Sequence, residues 1–327
     1  MNILEVFTVA DHLNSLKQLS IKAGPAKKDS CPFYQLGARN FFFKLEAIAR
    51  IFRETINEPY YDKIYNSIKL TEDALGQYDY QKVLADEFVN DGRLPDGFRT
   101  YFKNAETKGL NQLNLHLEEN GWIPDANVKC DTLLLAYSDK ATIDSNDFLP
   151  SYLKYLSGYI QKLEKNFREG KTDPEKIEEG VHELRRKLRW ISIYTQVSGG
   201  IIQLTTKNKS NGINKKYLDP SILNSPFMKV PHAPKGLKTI SIHIENFAAL
   251  SWIINELGVY KDQGLRLEAI NRACLETVKP DAANKIQSIL NPEEISLDRI
   301  SEKVRKITTG FFNEDKILSR ILDDLKQ

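Results

Sequence analysis

Helical periodicity is the feature that most constrains how this sequence can fold. Apolar side chains recur every three or four residues along most of the chain, whereas the alternation of apolar and polar residues typical of strands is scarce, which predicts an all-α protein. The predicted helices cover about 3–20, 35–57, 60–75, 77–90, 98–119, 148–169, 174–197, 238–257, 260–278, 295–308 and 312–326. The apolar segment 128–137 fits either a short strand or a buried helical turn.

The composition is that of a folded globular protein without a strong bulk charge. Hydrophobic residues make up 41% and charged residues 28% of the chain, which excludes the composition typical of disorder. The 46 basic and 44 acidic residues leave a net charge of +2. An affinity for anions must therefore come from the positions of the charges and not from their sum.

Cysteine usage and hydropathy indicate a reducing, cytoplasmic setting. The three cysteines, Cys31, Cys130 and Cys274, are far apart and odd in number, which suggests neither a disulfide framework nor a metal site. The N-terminal segment lacks the pattern of a signal peptide. No apolar run reaches the roughly 20 residues that a bilayer span needs, so we expect no membrane association.

A short repeat indicates that the chain is internally duplicated. The segments 72–80 (EDALGQYDY) and 254–262 (INELGVYKD) share the pattern Leu-Gly-x-Tyr, and the glycine suits a position of positive φ just after a helix. An arginine-containing amphipathic helix precedes each segment. This shared order predicts an internal duplication of two helical halves, residues 1–143 and 144–327, with a loop insertion in the second.

The predicted helix 174–197 carries the most concentrated positive charge. His182, Arg185, Arg186 and Arg189 project on one face, and the opposite face carries an apolar stripe suited to packing in a bundle. Glu183 is the only acid between residues 180 and 197, so the helix itself offers these cations little neutralisation. The missing negative charge comes either from acidic neighbouring helices or from a ligand.

Two further predicted helices carry similar basic stripes. These stripes consist of Lys154, Lys165 and Arg168 in the helix 148–169, and of Arg39, Arg50 and Arg53 in the helix predicted over 35–57. If the three stripes converge, they form a groove of positive potential suited to a polyanion. If each arginine instead pairs with an acid of a neighbouring helix, the protein is a helical scaffold.

The connection 198–238 is too long for an ordinary link between helices. It contains seven lysines, four prolines and a single acid, Asp219. A connection of this kind is either a solvated excursion or a flap that contacts an anion, and the sequence leaves both interpretations open.

The segment VHELRRKLRW, the upstream arginine helix and the repeated Leu-Gly-x-Tyr together resemble the CHAD family, the conserved histidine α-helical domain. The resemblance spans nearly the whole chain, and His182, Leu184, Arg185 and Arg189 match the pattern of the second half. It implies two helical bundles with approximate two-fold symmetry, whose basic helices face a central cavity that binds inorganic polyphosphate.

The first half matches the same pattern at fewer positions. Leu36 stands where the family has its histidine, and Phe43 replaces an expected cation. Arg39, Lys44 and Arg50 occupy plausible basic positions. On the resemblance, both halves contribute cations to the cavity, although only the second half contributes a histidine.

The sequence lacks the motifs of the common catalytic sites. It has no glycine-rich phosphate loop, no His-Glu-x-x-His helix and no nucleophile elbow. We therefore predict a non-catalytic protein, without a metal or cofactor, that binds inorganic polyphosphate or another phosphate-rich polyanion. The predicted binding residues are His182, Arg185, Arg189, Arg186, Lys187, Arg39, Lys44, Arg50, Lys154, Lys165 and Arg168. The alternative is a protein-interaction scaffold, and nucleic acid is a less expected partner because no aromatic stacking platform is evident.

Overall fold

The structure confirms the all-α class. The computed structural model describes residues 2–23, 31–56, 59–139, 141, 143–207 and 214–326. The helices of the first half are α1 (Ile3–Val6), α2 (Val9–Ala23), α3 (Cys31–Gln35), α4 (Ala38–Ile56), α5 (Pro59–Phe88), α6 (Asp96–Glu119) and α7 (Asn127–Ser138). Those of the second half are α8 (Ser145–Arg168), α9 (Glu183–Val197), α10 (Pro220–Leu223), α11 (Ile244–Thr277), α12 (Pro280–Leu290), α13 (Leu297–Thr309) and α14 (Ile317–Asp324). A π-helical turn, Ile177–His182, leads into α9.

Two of the predicted helix boundaries are wrong for the same reason. The predicted breaks near Gly76 and Gly258 do not occur, because α5 and α11 each continue through the glycine, and neither glycine has a positive φ. A Cβ atom at either position would collide with an arginine side chain from another helix. Each glycine therefore provides space for a neighbour, and not the turn that the sequence pattern suggested.

The structure decides the segment 128–137 and shows how the long connection begins and ends. The apolar segment 128–137 is helical and forms most of α7. In the long connection, β1 (Ile202–Thr205) pairs in parallel with β2 (Ile240–His243), so the two ends of the excursion are held together. Residues 208–213, which include Lys209 of the proposed flap, lie outside the described residues.

One hydrophobic core includes residues from both predicted halves. The rings of Phe52 and Phe148 lie 6.0 Å apart, and those of Phe43 and Trp190 are also 6.0 Å apart. Since α4 packs against both α8 and α9, the segments 1–143 and 144–327 bury apolar surface together. The duplication itself stays a prediction.

A second, smaller core closes the far ends of the long helices. It joins α5 and α6 to α11 and α12 through Phe88, Phe98, Phe102, Ile270 and Ile286. α5 packs against α4, and α11 packs against α9. None of the helices in the described ranges combines the length and apolar character that a bilayer span requires.

Candidate functional site

Two hollows lie along α9. The first, which we call the interhelical cavity, has a volume of about 790 Å³ and lies among α4, α5, α9, α11 and the π-helical turn. Its walls include Arg39, His182, Arg185, Arg189 and Glu268. The second, the α8–α9 groove, has a volume of about 680 Å³ and is bounded by α4, α8 and α9. The groove walls include Arg50, Lys154, Tyr159, Lys162 and Lys187.

The structure distributes the predicted binding residues over three places. The interhelical cavity receives Arg39, His182, Arg185, Arg186 and Arg189. The α8–α9 groove receives Arg50, Lys154, Arg186 and Lys187. The remaining three predicted residues, Lys44, Lys165 and Arg168, line neither hollow.

Two of these outlying residues, Lys165 and Arg168, show that a stripe on a helical projection does not place its members together in space. Lys165 and Arg168 share a stripe with Lys154, but they lie about 16 Å or more further along α8, because each residue adds about 1.5 Å. There they pair with acids at the end of α8, Lys165 at 3.7 Å from Glu169 and Arg168 at 2.8 Å from Glu164.

Lys44 lies apart from both hollows, on the side of α4 that faces α2. Its ammonium group is 5.8 Å from the centre of the Phe41 ring. Burial lowers the pKa of Lys44, and Lys44 in turn contributes to a pKa of about 4 for His12, whose larger cause is its own burial. His12 is therefore neutral at pH 7, and this pair does not extend the basic surface.

Arg39 is neutralised within the protein. Its side chain crosses α5 at Gly76, where a Cβ atom would collide with the guanidinium. Its Nε donates to Glu72 and its Nη1 to Asp79, each at 2.8 Å. Glu72, Gly76 and Asp79 occupy positions i, i+4 and i+7 of one helix, so they share a face and together cradle the arginine.

Arg185 makes the same contact with α11 but meets no acid there. Its side chain crosses α11 at Gly258, and its Nε donates to the backbone carbonyl of Ile254 at 3.1 Å. No carboxylate of the described residues lies within ion-pair distance of Arg185. Burial lowers the pKa of Arg185, Asp262 opposes this shift, and Arg39 adds to it.

Arg189 has no carboxylate within ion-pair distance in the described part of the chain. Its guanidinium carbon lies 4.2 Å from the centre of the Phe43 ring, and its buried Nε has no hydrogen-bond partner among the described residues. Burial lowers the pKa of Arg189 to about 10, with the positive charges of Arg185 and Arg39 adding to the shift. The side chain therefore stays charged at pH 7, in a setting that disfavours an uncompensated charge.

His182 and Arg186 use acids of the same helical segment. Nδ1 of His182 lies 2.9 Å from a carboxylate oxygen of Glu178, and Arg186 lies 2.9 Å from Glu183. His182 stands at the cavity wall, one helical turn before Arg185 and Arg186. Within the described ranges, no cluster of His, Cys, Asp and Glu could hold a metal ion.

The described lining of the interhelical cavity has no overall excess of positive side chains. Among the described residues, as many carboxylates as arginine and lysine side chains line the cavity. Glu178, Asp262 and Glu268 lie on the elements that face α4 and α5. On α9, Arg185 and Arg189 line the cavity with no carboxylate within ion-pair distance among the described residues.

The α8–α9 groove has a different balance. Among the described residues, six arginine and lysine side chains and two carboxylates line it. Arg50 lies at its base, where the guanidinium carbon is 4.2 Å from the centre of the Trp190 ring and an Nη atom donates to Glu46 at 2.8 Å. The three lysines of the groove, Lys154, Lys162 and Lys187, have no carboxylate within ion-pair distance in the part of the chain that the structure describes.

The groove also contains an aromatic cluster that the sequence analysis missed. Tyr155 and Tyr159 of α8 pack against Tyr194 of α9, whose ring lies 5.4 Å from that of Tyr155 and 5.3 Å from that of Tyr159. Trp190 of α9 stacks on Tyr194 and completes this aromatic cluster. Both pairs are spaced four residues apart, which places each pair on one helix face. That spacing was a signal in the sequence, but only the packing of α8 on α9 brings the two pairs together.

Comparison with known proteins adds no relative. Neither the protein-family models nor the curated proteins match the sequence, and no solved structure matches the fold. The resemblance to the CHAD family stays a prediction.

Proposed function

We propose that this protein binds a phosphate-rich anion such as inorganic polyphosphate, without catalysing a reaction, and that Arg185 and Arg189 are its anchor. One observation carries the proposal: two neighbouring, largely buried guanidinium groups face the interhelical cavity with no carboxylate partner among the described residues. Removing a cation from water without a counter-charge is costly. A bound anion would supply that counter-charge through charge-assisted hydrogen bonds.

The distribution of charge around α9 favours an anion that follows this helix. Carboxylates on the facing elements disfavour negative charge across the full width of the cavity. Arg186 lines both hollows, and Lys187 follows it in the groove. A short run of phosphates bound to Arg185 and Arg189 would therefore extend along α9, past Arg186, to Lys187 in the groove. Arginine suits phosphate oxygens, and lysine supplies a flexible point charge.

The test is titration with long-chain polyphosphate at two salt concentrations. Affinity should fall steeply with salt, because each neutralised phosphate releases counterions. The Arg185→Ala, Arg189→Ala double variant should stay folded and bind about tenfold more weakly or worse, the loss expected for two charge-assisted contacts.

The matched control is the Lys165→Ala, Arg168→Ala double variant. Like the first double variant, it removes two positive charges, but from side chains of α8 that line neither hollow. It should change affinity by no more than about twofold at moderate salt, because distant exposed charges are screened. Absent binding, binding that is indifferent to salt, or an equal loss in both double variants would contradict the proposal.

A helical scaffold is the second candidate, and a specific set of ion pairs favours it. Arg39, Arg50, Arg168 and Arg186 each contact a carboxylate of a nearby residue, as a structural role predicts. For this candidate Arg185 and Arg189 are packing residues. The Arg185→Ala, Arg189→Ala variant would then leave every anion titration unchanged, which separates the two functions.

A further inference from the structure

The aromatic cluster of the α8–α9 groove forms a wall in which Tyr155 and Tyr159 already have hydrogen-bond partners for their hydroxyl groups. We call it the aromatic wall. The hydroxyl of Tyr155 donates to that of Tyr194, and the hydroxyl of Tyr159 donates to the backbone carbonyl of Lys187, each at 2.9 Å. What the half-buried Tyr155 and Tyr159 present to the groove is therefore mainly ring surface. Such a surface suits a flat, apolar group.

Exposed cations surround this aromatic wall. Lys154, Lys162 and Lys187 are exposed, line the groove, and have no carboxylate within ion-pair distance among the described residues. Lys154 and Lys162 lie two turns apart on α8, and Lys187 lies across the groove on α9. The charges thus stand on both sides of the rings, and each ammonium group can donate charge-assisted hydrogen bonds to a phosphate.

A glycine keeps the floor between the two tyrosines open. Gly158 is exposed in the middle of α8, and a Cβ atom built on it would meet nothing within 4 Å. Glycine at such a position weakens a helix relative to alanine. Neither a close neighbour nor a positive φ explains this glycine, and what it provides is an unobstructed groove.

We propose that the α8–α9 groove binds a nucleoside polyphosphate, with the base against Tyr155 and Tyr159 above Gly158 and the phosphates on Lys154, Lys162 and Lys187. Bare polyphosphate would leave the aromatic wall unused, and an uncharged aromatic compound would leave the lysines unused. The volume of about 680 Å³ is in the range of small-molecule sites. This site goes beyond the anion site of the interhelical cavity: the two proposals share Lys187, but the nucleotide site does not need Arg185 or Arg189.

The test compares ATP with tripolyphosphate, because the two share a triphosphate and differ in the nucleoside. Each ligand is titrated calorimetrically in the presence of EDTA, which removes divalent cations. The protein carries Arg185→Ala and Arg189→Ala, so that the cavity anchor does not contribute. ATP should bind about tenfold more tightly than tripolyphosphate, the contribution expected of one stacked base. Gly158→Leu, which fills the groove and favours the helix, should weaken ATP binding at least about tenfold while the melting temperature stays the same or rises.

Gly92→Leu, in the turn between α5 and α6, is the control for placing a leucine at an exposed glycine. Gly92 is also exposed, and a Cβ atom there would also meet nothing within 4 Å, but it lies outside the groove. This variant should leave ATP binding unchanged.

Three results would overturn the proposal: equal affinity for ATP and tripolyphosphate, ATP binding that Gly158→Leu does not affect, or no ATP binding. Failure of the cavity proposal is distinguishable, because it would show as unchanged polyphosphate binding when Arg185 and Arg189 are replaced in the otherwise unmodified protein.

Discussion

Arg39 and Arg185 make the same packing contact in the two halves of the chain, with different electrostatic results. Each crosses a long helix at a glycine, Gly76 in α5 and Gly258 in α11. Arg39 is held there by two carboxylates, whereas Arg185 donates to a single backbone carbonyl. The helix contact is shared, but only the first half supplies the counter-charge.

The residues behind this difference occupy matching positions in the repeat. When the two Leu-Gly-x-Tyr segments are aligned, Ile254 stands at the position of Glu72 and Lys261 at that of Asp79. Both acids of the first half are therefore absent from the second. The same packing contact therefore has two electrostatic outcomes: Arg39 is neutralised by two carboxylates, and Arg185 has no carboxylate within ion-pair distance among the described residues.

Replacing the two arginines by methionine should give the largest contrast. Arg39→Met should lower the free energy of unfolding by about 2 to 3 kcal/mol, mainly because it leaves the buried Glu72 without its partner; the Asp79 pair is more exposed and contributes less. Arg185→Met should change stability by less than about 1 kcal/mol, because no carboxylate loses a partner. Urea denaturation measures both values.

Arg305→Met is the control for the methionine pair. Arg305 forms an exposed ion pair with Glu175, and its loss should cost less than about 1 kcal/mol. If Arg39→Met and Arg185→Met destabilise the protein equally, the proposed electrostatic difference between Arg39 and Arg185 does not hold.

Transferring one acid of the first half to the second should have an intermediate effect. Lys261→Asp places a carboxylate at the position that matches Asp79, where it can neutralise Arg185. We expect polyphosphate affinity at low salt to fall about tenfold, or about 1.4 kcal/mol. Lys165→Asp makes the same charge change away from both hollows and should have a much smaller effect on the same titration.

Adding a methyl group to each glycine should give the smallest effect. An alanine in a helix is favoured over glycine by about 1 kcal/mol. At Gly258 that gain is offset by displacing Arg185 from one carbonyl, so Gly258→Ala should be close to neutral in thermal unfolding. At Gly76 the methyl group displaces Arg39 from two carboxylates, so Gly76→Ala should cost about 1 kcal/mol net.

Gly158→Ala isolates the contribution of helix propensity. Its Cβ atom meets nothing within 4 Å, so it should stabilise the protein by up to about 1 kcal/mol. Equal behaviour of Gly76→Ala and Gly258→Ala would remove the proposed difference between the two contacts.

The candidate site was predictable to the extent that it depends on one helix. The face shared by His182, Arg185 and Arg189 follows from the helical period, and the structure brings these three residues to one cavity wall. Lys165 and Arg168, also predicted as binding residues, do not reach that cavity wall. A projection along the helix axis discards distance along the helix. Gly76 and Gly258 were recognised as a repeat, but their role was misread, because the arginine that needs the space comes from another helix.

The sequence by itself determined the all-α class and the apolar and basic faces of α9, because both follow from the spacing of residues that are neighbours along the chain. Only the tertiary structure decided which cations are neutralised. Glu72 lies 33 residues and Asp79 lies 40 residues from Arg39 in the chain, and the aromatic wall of the groove joins two separate helices. Such partners are chosen when the helices pack, since electrostatic attraction and ring contact depend on distance in space and not on separation in sequence.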